Sequence, residues 1–166
     1  MIGIDAKIES LQAQFNSKLF TSIVGNTYTA YGRAFLNERE EGTVPEILYD
    51  GEVDYKEVLI DTGVDGQSFF VVENDDVAIT PFDYETPVSI YFAVNLKILY
   101  PAVTERAVEY LHRDVLEILN SSPFDIQDVT TGRDAFSDFE VKIGDNMQPF
   151  YLCKFSTLVQ WNINEC

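Results

Sequence analysis

Two long stretches of strict alternation constrain this chain more than anything else in it. Over residues 88–100, Val88, Ile90, Phe92, Val94, Leu96, Ile98 and Tyr100 share one side of an extended backbone, while Ser89, Tyr91, Ala93, Asn95, Lys97 and Leu99 share the other. Over residues 151–163, Tyr151, Cys153, Phe155, Thr157, Val159, Trp161 and Ile163 alternate with Leu152, Lys154, Ser156, Leu158, Gln160 and Asn162. The pattern predicts two long strands, each with one dry face, sharing a sheet. Both exceed the usual strand of about 5–6 residues, so the sheet should be tall, coiled or partly overhanging.

Two amphipathic helices are expected on one face of that sheet. Ile4, Ile8, Leu11, Phe15 and Leu19 recur at helical spacing behind Asp5, a candidate N-cap. Pro101 stops the first long strand, and Thr104 is positioned to cap a second helix to about Asn120, with Val108, Leu111, Val115 and Ile118 as its stripe. Between the first helix and the long strand, the reading gives a strand over 28–36, a charged loop or arm over 37–46, and a hairpin formed by 53–60 and 67–73. Short extended segments follow at 77–80, 124–129 and 139–143, with a polar loop over 130–138. The fold class is α+β: an antiparallel or mixed twisted β-sheet with two amphipathic helices packed on one face. One domain, 1–166, is expected, with a protruding insert at about 37–87; no internal repeat argues for a second.

Composition narrows function by exclusion. With 28 acidic against 11 basic residues the net charge is −17, which disfavours tight binding to nucleic acid or to an anionic membrane. No apolar run approaches the roughly 20 residues that span a bilayer, and residues 1–5 lack the form of a signal peptide, so cytoplasmic synthesis is expected. Cys153 falls on the apolar side of the last strand and Cys166 is the final residue; both read as reduced thiols.

Motifs for chemistry are sparse. Asp61-Thr62-Gly63, preceded by Val58, Leu59 and Ile60, resembles the catalytic loop of retropepsin-type aspartic proteases, in which Asp61 would share a proton with its copy in a second chain. Val64 departs from that family's Ala or Ser, no Gly-rich flap follows, the apolar-apolar-Gly element is missing, and the second helix interrupts the expected strands. Asp, Thr and Gly are also turn residues, and the segment reads as a turn. Asp61, Asp65, Asp75 and Asp76 do not follow the spacing of a calcium loop. His112 is the only histidine, on the second helix, and reads as a boundary side chain. No phosphate-cradling glycine motif is present. The expectation is therefore no enzyme, no cofactor and no metal.

The order of elements, helix over 4–19, long strand over 88–100, helix over 104–120 and closing strand over 151–163, resembles the tail terminator or tail completion proteins of long-tailed bacteriophages and the related neck proteins of the head-to-tail junction. That resemblance implies a structural virion protein, made in the host bacterial cytoplasm and located at the neck or tail. It implies a homo-oligomeric ring, six-fold or twelve-fold, joining the tail tube to the head connector, with other phage neck, tail and connector proteins as partners. DNA would pass through such a ring without tight binding, which acidic walls favour. A different phage baseplate or adaptor subunit is the alternative. Tyr31, Phe35, Tyr49, Phe69, Phe70, Phe82 and Tyr84 exceed the needs of a small core and are expected at the oligomer or partner interface. The long-strand hairpin system is expected to offer edges for pairing between subunits.

Overall fold

The computed structural model describes residues 3–20, 28–48, 55–57, 64–73, 76–139 and 150–164. Its strands are β1 (Tyr28–Arg39), β2 (Gly42–Leu48), β3 (Tyr55–Glu57), β4 (Gly66–Val72), β5 (Val77–Ala78), β6 (Asp83–Asn95), β7 (Phe124–Thr131) and β8 (Phe150–Asn162). They form one sheet in the order β3-β2-β1-β4-β6-β8-β7, with β5 paired to β6. The β1–β4 pair is parallel and the others are antiparallel, so the sheet is mixed.

The two strands read from alternation are neighbours along their whole lengths, from Asp83 opposite Asn162 to Asn95 opposite Phe150. The first begins earlier and ends sooner than its periodicity predicts. At Asn95 the side-chain Oδ1 accepts the Lys97 backbone N–H at 3.2 Å, and residues Leu96–Leu99 form the short helix α2. A local cap thus offers the backbone an alternative to the ladder. Pro87 is tolerated inside β6 because on the β4 and β5 side it lies beyond both ladders, β4 stopping at Val72 opposite Val88 and β5 beginning with Val77 opposite Glu85, and there its carbonyl accepts the Glu73 N–H at 3.1 Å.

Helix α1 (Ile4–Gln14) continues into a π-helical turn, Phe15–Leu19, and helix α3 spans Ala107–Asn120. The wider π turn holds Leu19 in line with Phe15 although the preceding spacing is also four. Both helices cover the same sheet face: Ile8, Leu11, Phe15, Leu111 and Val115 pack with Phe70, Ile90, Phe92 and Phe155 in one buried cluster. Phe15 stacks on Phe70 at 5.9 Å and meets Phe92 edge-on at 5.2 Å. Thr104 does not cap α3; the cap position is Arg106, left-handed at φ 60°, and it makes no side-chain cap bond. Cys153 lies in this core, where burial pushes its thiol up.

Contrary to the single dry face expected of it, β6 is buried on both sides. Tyr91 and Ala93 belong to a second cluster with Phe69, Phe136, Phe139 and Leu152 on the face away from the helices. The expected polar loop over 130–138 contains a 3₁₀ helix, Gly132–Phe136, whose Ala135 and Phe136 close this face. Tyr91 stacks on Phe69 at 5.0 Å, with Phe136 and Phe139 at 5.3 and 4.9 Å. Of the extended segment expected over 139–143, only Phe139 is described, and it is a bend.

Two further expectations are corrected. The segment 37–46 is not a loop: β1 runs to Arg39 and returns through β2 as a hairpin, with Phe35 opposite Glu46 and Arg39 opposite Gly42. Of the segment 53–60, expected to pair with 67–73, only Tyr55–Glu57 is described, and it does not pair with β4. β3 pairs with β2, and β4 is inserted between β1 and β6, because its continuous apolar run can be buried on both faces only inside the sheet. The described parts of 37–87 contribute β2, β3, β4, β5 and the start of β6 to the sheet.

Candidate interaction surface

The register fixes what lies at each end of the sheet. β1 runs parallel to β4, and β4 runs antiparallel to β6, so the C-terminal end of β1 and the N-terminal end of β6 point the same way. Two hairpin turns therefore project from one end: the β1–β2 turn at Glu40–Glu41, and the turn between β5 and β6.

Around the second turn, apolar side chains stand in the open. Val77 is 61%, Ile79 53%, Phe82 55% and Ile163 43% exposed. They converge through the backbone, since the Ile79 N–H donates to the Asp83 carbonyl and the Ile163 N–H donates to the Phe82 carbonyl, both at 2.9 Å. By register Val77 leaves the sheet on the face of Glu85 and Asp83, while Phe82 and Ile163 leave on the other, so the exposed apolar side chains flank the turn on both faces.

Three carboxylates lie along the strands next to this turn, and neutral donors hold each of them. The Thr86 hydroxyl donates to Asp76 Oδ1 at 2.5 Å. Thr80 Oγ1 and Asn162 Nδ2 donate to Asp83 at 2.7 and 2.6 Å, and Gln160 Nε2 donates to Glu85 at 3.3 Å. The bonds from Thr80 and then Asn162 hold the Asp83 carboxyl below its ordinary value. Hydrogen bonds to a charged form stabilise it without cancelling its charge.

The β1–β2 hairpin overhangs the end of β4, which stops opposite Ala34, and it carries Phe35 and Leu36 at 45% and 46% exposure. Its stem is stiffened by the Arg39–Glu46 ion pair and by Asn37 Nδ2 donating to Glu46 at 3.2 Å. The Arg33 guanidinium covers the Phe35 ring at 4.8 Å and pairs with Asp5 of α1 at 3.1 Å. Glu38, Glu40 and Glu41 are all exposed, so the hairpin tip is acidic.

The aromatics expected at an interface divide accordingly. Phe35 and Phe82 are exposed; Tyr31 and Tyr84 are half-buried, the latter stacked on Trp161 at 4.8 Å. Phe69 and Phe70 are not surface residues at all, being 1% and 0% exposed on opposite faces of β4. Tyr49 lies outside the described residues. Val77, Ile79, Ile163 and Leu36 were not singled out in the sequence, where they look like ordinary members of short apolar runs. The expected edge pairing of the long strand is overturned too, for β6 has β4 and β5 on one side and β8 on the other.

Elsewhere the titratable groups are structural in geometry. Lys154 Nζ lies 2.7 Å from Glu73 and 3.2 Å from Asp138, and 5.5 Å from the centre of the Tyr91 ring. Burial pulls the Lys154 ammonium down, but its contacts with Glu73, Tyr91 and Asp138 outweigh this and leave it raised; burial pushes the Tyr91 hydroxyl up to about 12. His112 Nε2 is 3.0 Å from the Tyr151 hydroxyl, and burial lowers its pKa. Asp61 and Asp75 lie outside the described residues. Asp65 adjoins Gly66, opposite Val94, whereas Asp76 bonds Thr86, so those two aspartates sit near opposite ends of β6. Among the described residues, no group of three or more His, Cys, Asp or Glu side chains could hold a metal ion. No described helix is long and apolar enough to cross a membrane. In comparisons with known proteins, the chain matches no protein-family model and no curated sequence.

Proposed function

We propose that this chain is a non-catalytic structural subunit that assembles into a homo-oligomeric ring at the neck or tail end of a bacteriophage particle, six-fold or twelve-fold, joining tail tube to head connector around the DNA channel. The observation that carries the reading is the β1–β2 hairpin, which extends past the end of its sheet neighbour with Phe35 and Leu36 in the open. An overhanging hairpin with half-exposed apolar side chains can reach an adjacent copy, and a contact between unlike surfaces closes a ring when the rotation per step fits. Simple continuation of the sheet is the weaker route. The outer strand β7 carries a bulge between Ile126 and Asp128 and displays Asp125 and Asp128, features that blunt an edge against pairing. The net charge of −17 supports a conduit through which DNA passes without sticking.

Light scattering on the native protein, at several concentrations and two salt levels, tests the proposal. A closed mass of six or twelve copies is expected, reduced to smaller species by Leu36→Asp with Phe35→Ser. Labelled protein should map to the neck or tail end of particles. A monomer at every concentration that never enters particles would overturn the reading.

A further inference from the structure

We infer that the sheet face turned away from α1 and α3, where it runs open over β5, β6, β8 and β7, docks an amphipathic helix of a different protein, aliphatic along its stripe and flanked by lysine or arginine. The inference goes beyond the ring reading and uses none of the hairpin residues.

Strand register defines the face. Tyr91 and Ala93 point away from the helices into the second cluster, so Pro87, Glu85 and Asp83, at steps of two along β6, leave on that same side. Leu158 is directly opposite Pro87, and Glu85 has Gln160 opposite on β8 and Val77 opposite on β5. On β7, Asp125 is opposite Leu158 and Asp128 is opposite Ser156. Three positions apart, the two aspartates of a regular strand would leave on opposite faces; the bulge between Ile126 and Asp128 brings both to this one.

The 3₁₀ helix closes this face over Phe69, Tyr91 and Leu152, but Pro87 and Leu158 lie outside that cluster and stay half-buried, and Val77 is 61% exposed. An apolar seam is therefore left without the second layer that sheets ordinarily pack against. Four strands spaced about 4.8 Å apart make the open area about 14 Å across, and Asp83 to Ser89 at about 3.3 Å per residue make it about 20 Å long. One helix, about 10 Å wide and about 13 residues over that length, fills it.

Charge selects the helix. Asp83 and Glu85 on β6 and Asp125 and Asp128 on β7 flank Pro87 and Leu158. Neutral donors hold three of them: Thr80 and Asn162 on Asp83, Gln160 on Glu85, and Gln127 Nε2 on Asp125 at 3.1 Å, so their charges are positioned without being cancelled. Lys154 shares the face, but Glu73 and Asp138 engage it. A helix that buries the seam lays its flanks against these carboxylates, which lysine or arginine satisfies and acidic residues oppose. A second copy fits poorly. Face on face, it sets carboxylate against carboxylate; its α1 and α3 bury their apolar stripes on their own sheet, and the exposed side of α3 carries Glu109 and Glu117 beside Arg113, which Asp114 engages.

The test uses the full-length native protein and three fluorescein-labelled helical peptides of about 16 residues, followed by anisotropy: a Leu stripe flanked by Lys, the same with Glu for Lys, and the same with Gln for Leu. The Lys-Leu helix should bind saturably, about tenfold more tightly than either control, and more weakly as salt rises. Val77→Thr with Leu158→Thr, both compatible with a strand, should lower its affinity about tenfold. Asp125→Asn with Asp128→Asn, which keeps an oxygen acceptor for Gln127, should lower it severalfold and flatten the salt dependence. Phe82→Ser with Ile163→Ser, on the other face, should leave it unchanged. Circular dichroism verifies that each variant is folded. Equal binding of either control peptide, indifference to Val77 and Leu158, or an equal loss in the Phe82 and Ile163 variant would overturn the inference. So would labelled copies of the chain itself binding through Asp125 and Asp128, which would assign the face to a second subunit. Light scattering reads the ring separately: an intact ring with no Lys-Leu binding rejects this inference alone, and a monomer that binds Lys-Leu rejects the ring alone.

Discussion

Trp161 and Thr86 meet side chain to side chain across the β6–β8 pair, the indole N–H donating to the Thr86 hydroxyl at 2.9 Å. That hydroxyl in turn donates a hydrogen bond to Asp76 Oδ1 at 2.5 Å. One fully buried threonine therefore links β8, β6 and the segment leading into β5, at the point where β6 changes partners.

Thr86→Val keeps the shape and removes both bonds, leaving the half-buried indole N–H without its acceptor. The expected cost is about 1–2 kcal/mol. Urea unfolding checks it: the midpoint should fall while the slope stays unchanged, because the surface exposed on unfolding is the same.

Lys154 is the cation against which Glu73 and Asp138 are set, and its side chain is only 14% exposed. Lys154→Met leaves those carboxylates facing the Tyr91 region uncompensated. Since Glu73 and Asp138 retain access to water, the expected loss is about 1–3 kcal/mol, between a surface and a buried pair. Adding Glu73→Gln should recover part of it in thermal melts, and additive losses would show that the two groups are not coupled.

Burial lowers the His112 pKa below its ordinary 6.5. The unfolded chain then takes up the proton more readily than the folded one. This contribution to stability is complete above about pH 6.5 and is lost as pH falls through the folded value. The wild-type stability difference between about pH 7.5 and pH 5.5 should exceed that of His112→Gln, since carboxylate titration is common to both proteins. Unfolding curves at the two pH values measure it, and identical differences would remove His112 from the account.

Gly66 has no side chain where one cannot fit. A Cβ there would clash with Tyr28 Cδ1 and Cε1 and lie 3.0 Å from Val94 Cγ1. Gly66→Ala should cost about 1–3 kcal/mol through overpacking. The penalty should shrink in a Tyr28→Leu background, measured as a double-mutant cycle.

The period-2 pattern of 88–100 and 151–163, and the helical stripes through Ile4 to Leu19 and Val108 to Ile118, were legible because a repeat states which side chains share a face. It does not state what covers that face. Phe69 and Phe70 illustrate the gap. Adjacent aromatics in a short run suit an exposed interface or a doubly buried strand equally well, and only insertion of β4 between β1 and β6 decided the second. The bend at Asn95 was hidden for a related reason, since the alternation of Leu96, Ile98 and Tyr100 continues past a residue whose side chain caps a new helix turn.

By itself the sequence determined an α+β body, the partnership of its two longest strands in one sheet and the shared face of its two main helices, because local periodicity and burial demand agree at those positions. Only the tertiary structure decided the parallel β1–β4 pairing, the second dry face under Phe136 and the overhang of the β1–β2 hairpin. Each of these depends on which distant segment arrives alongside, and strand order is set by long-range packing that no local period encodes.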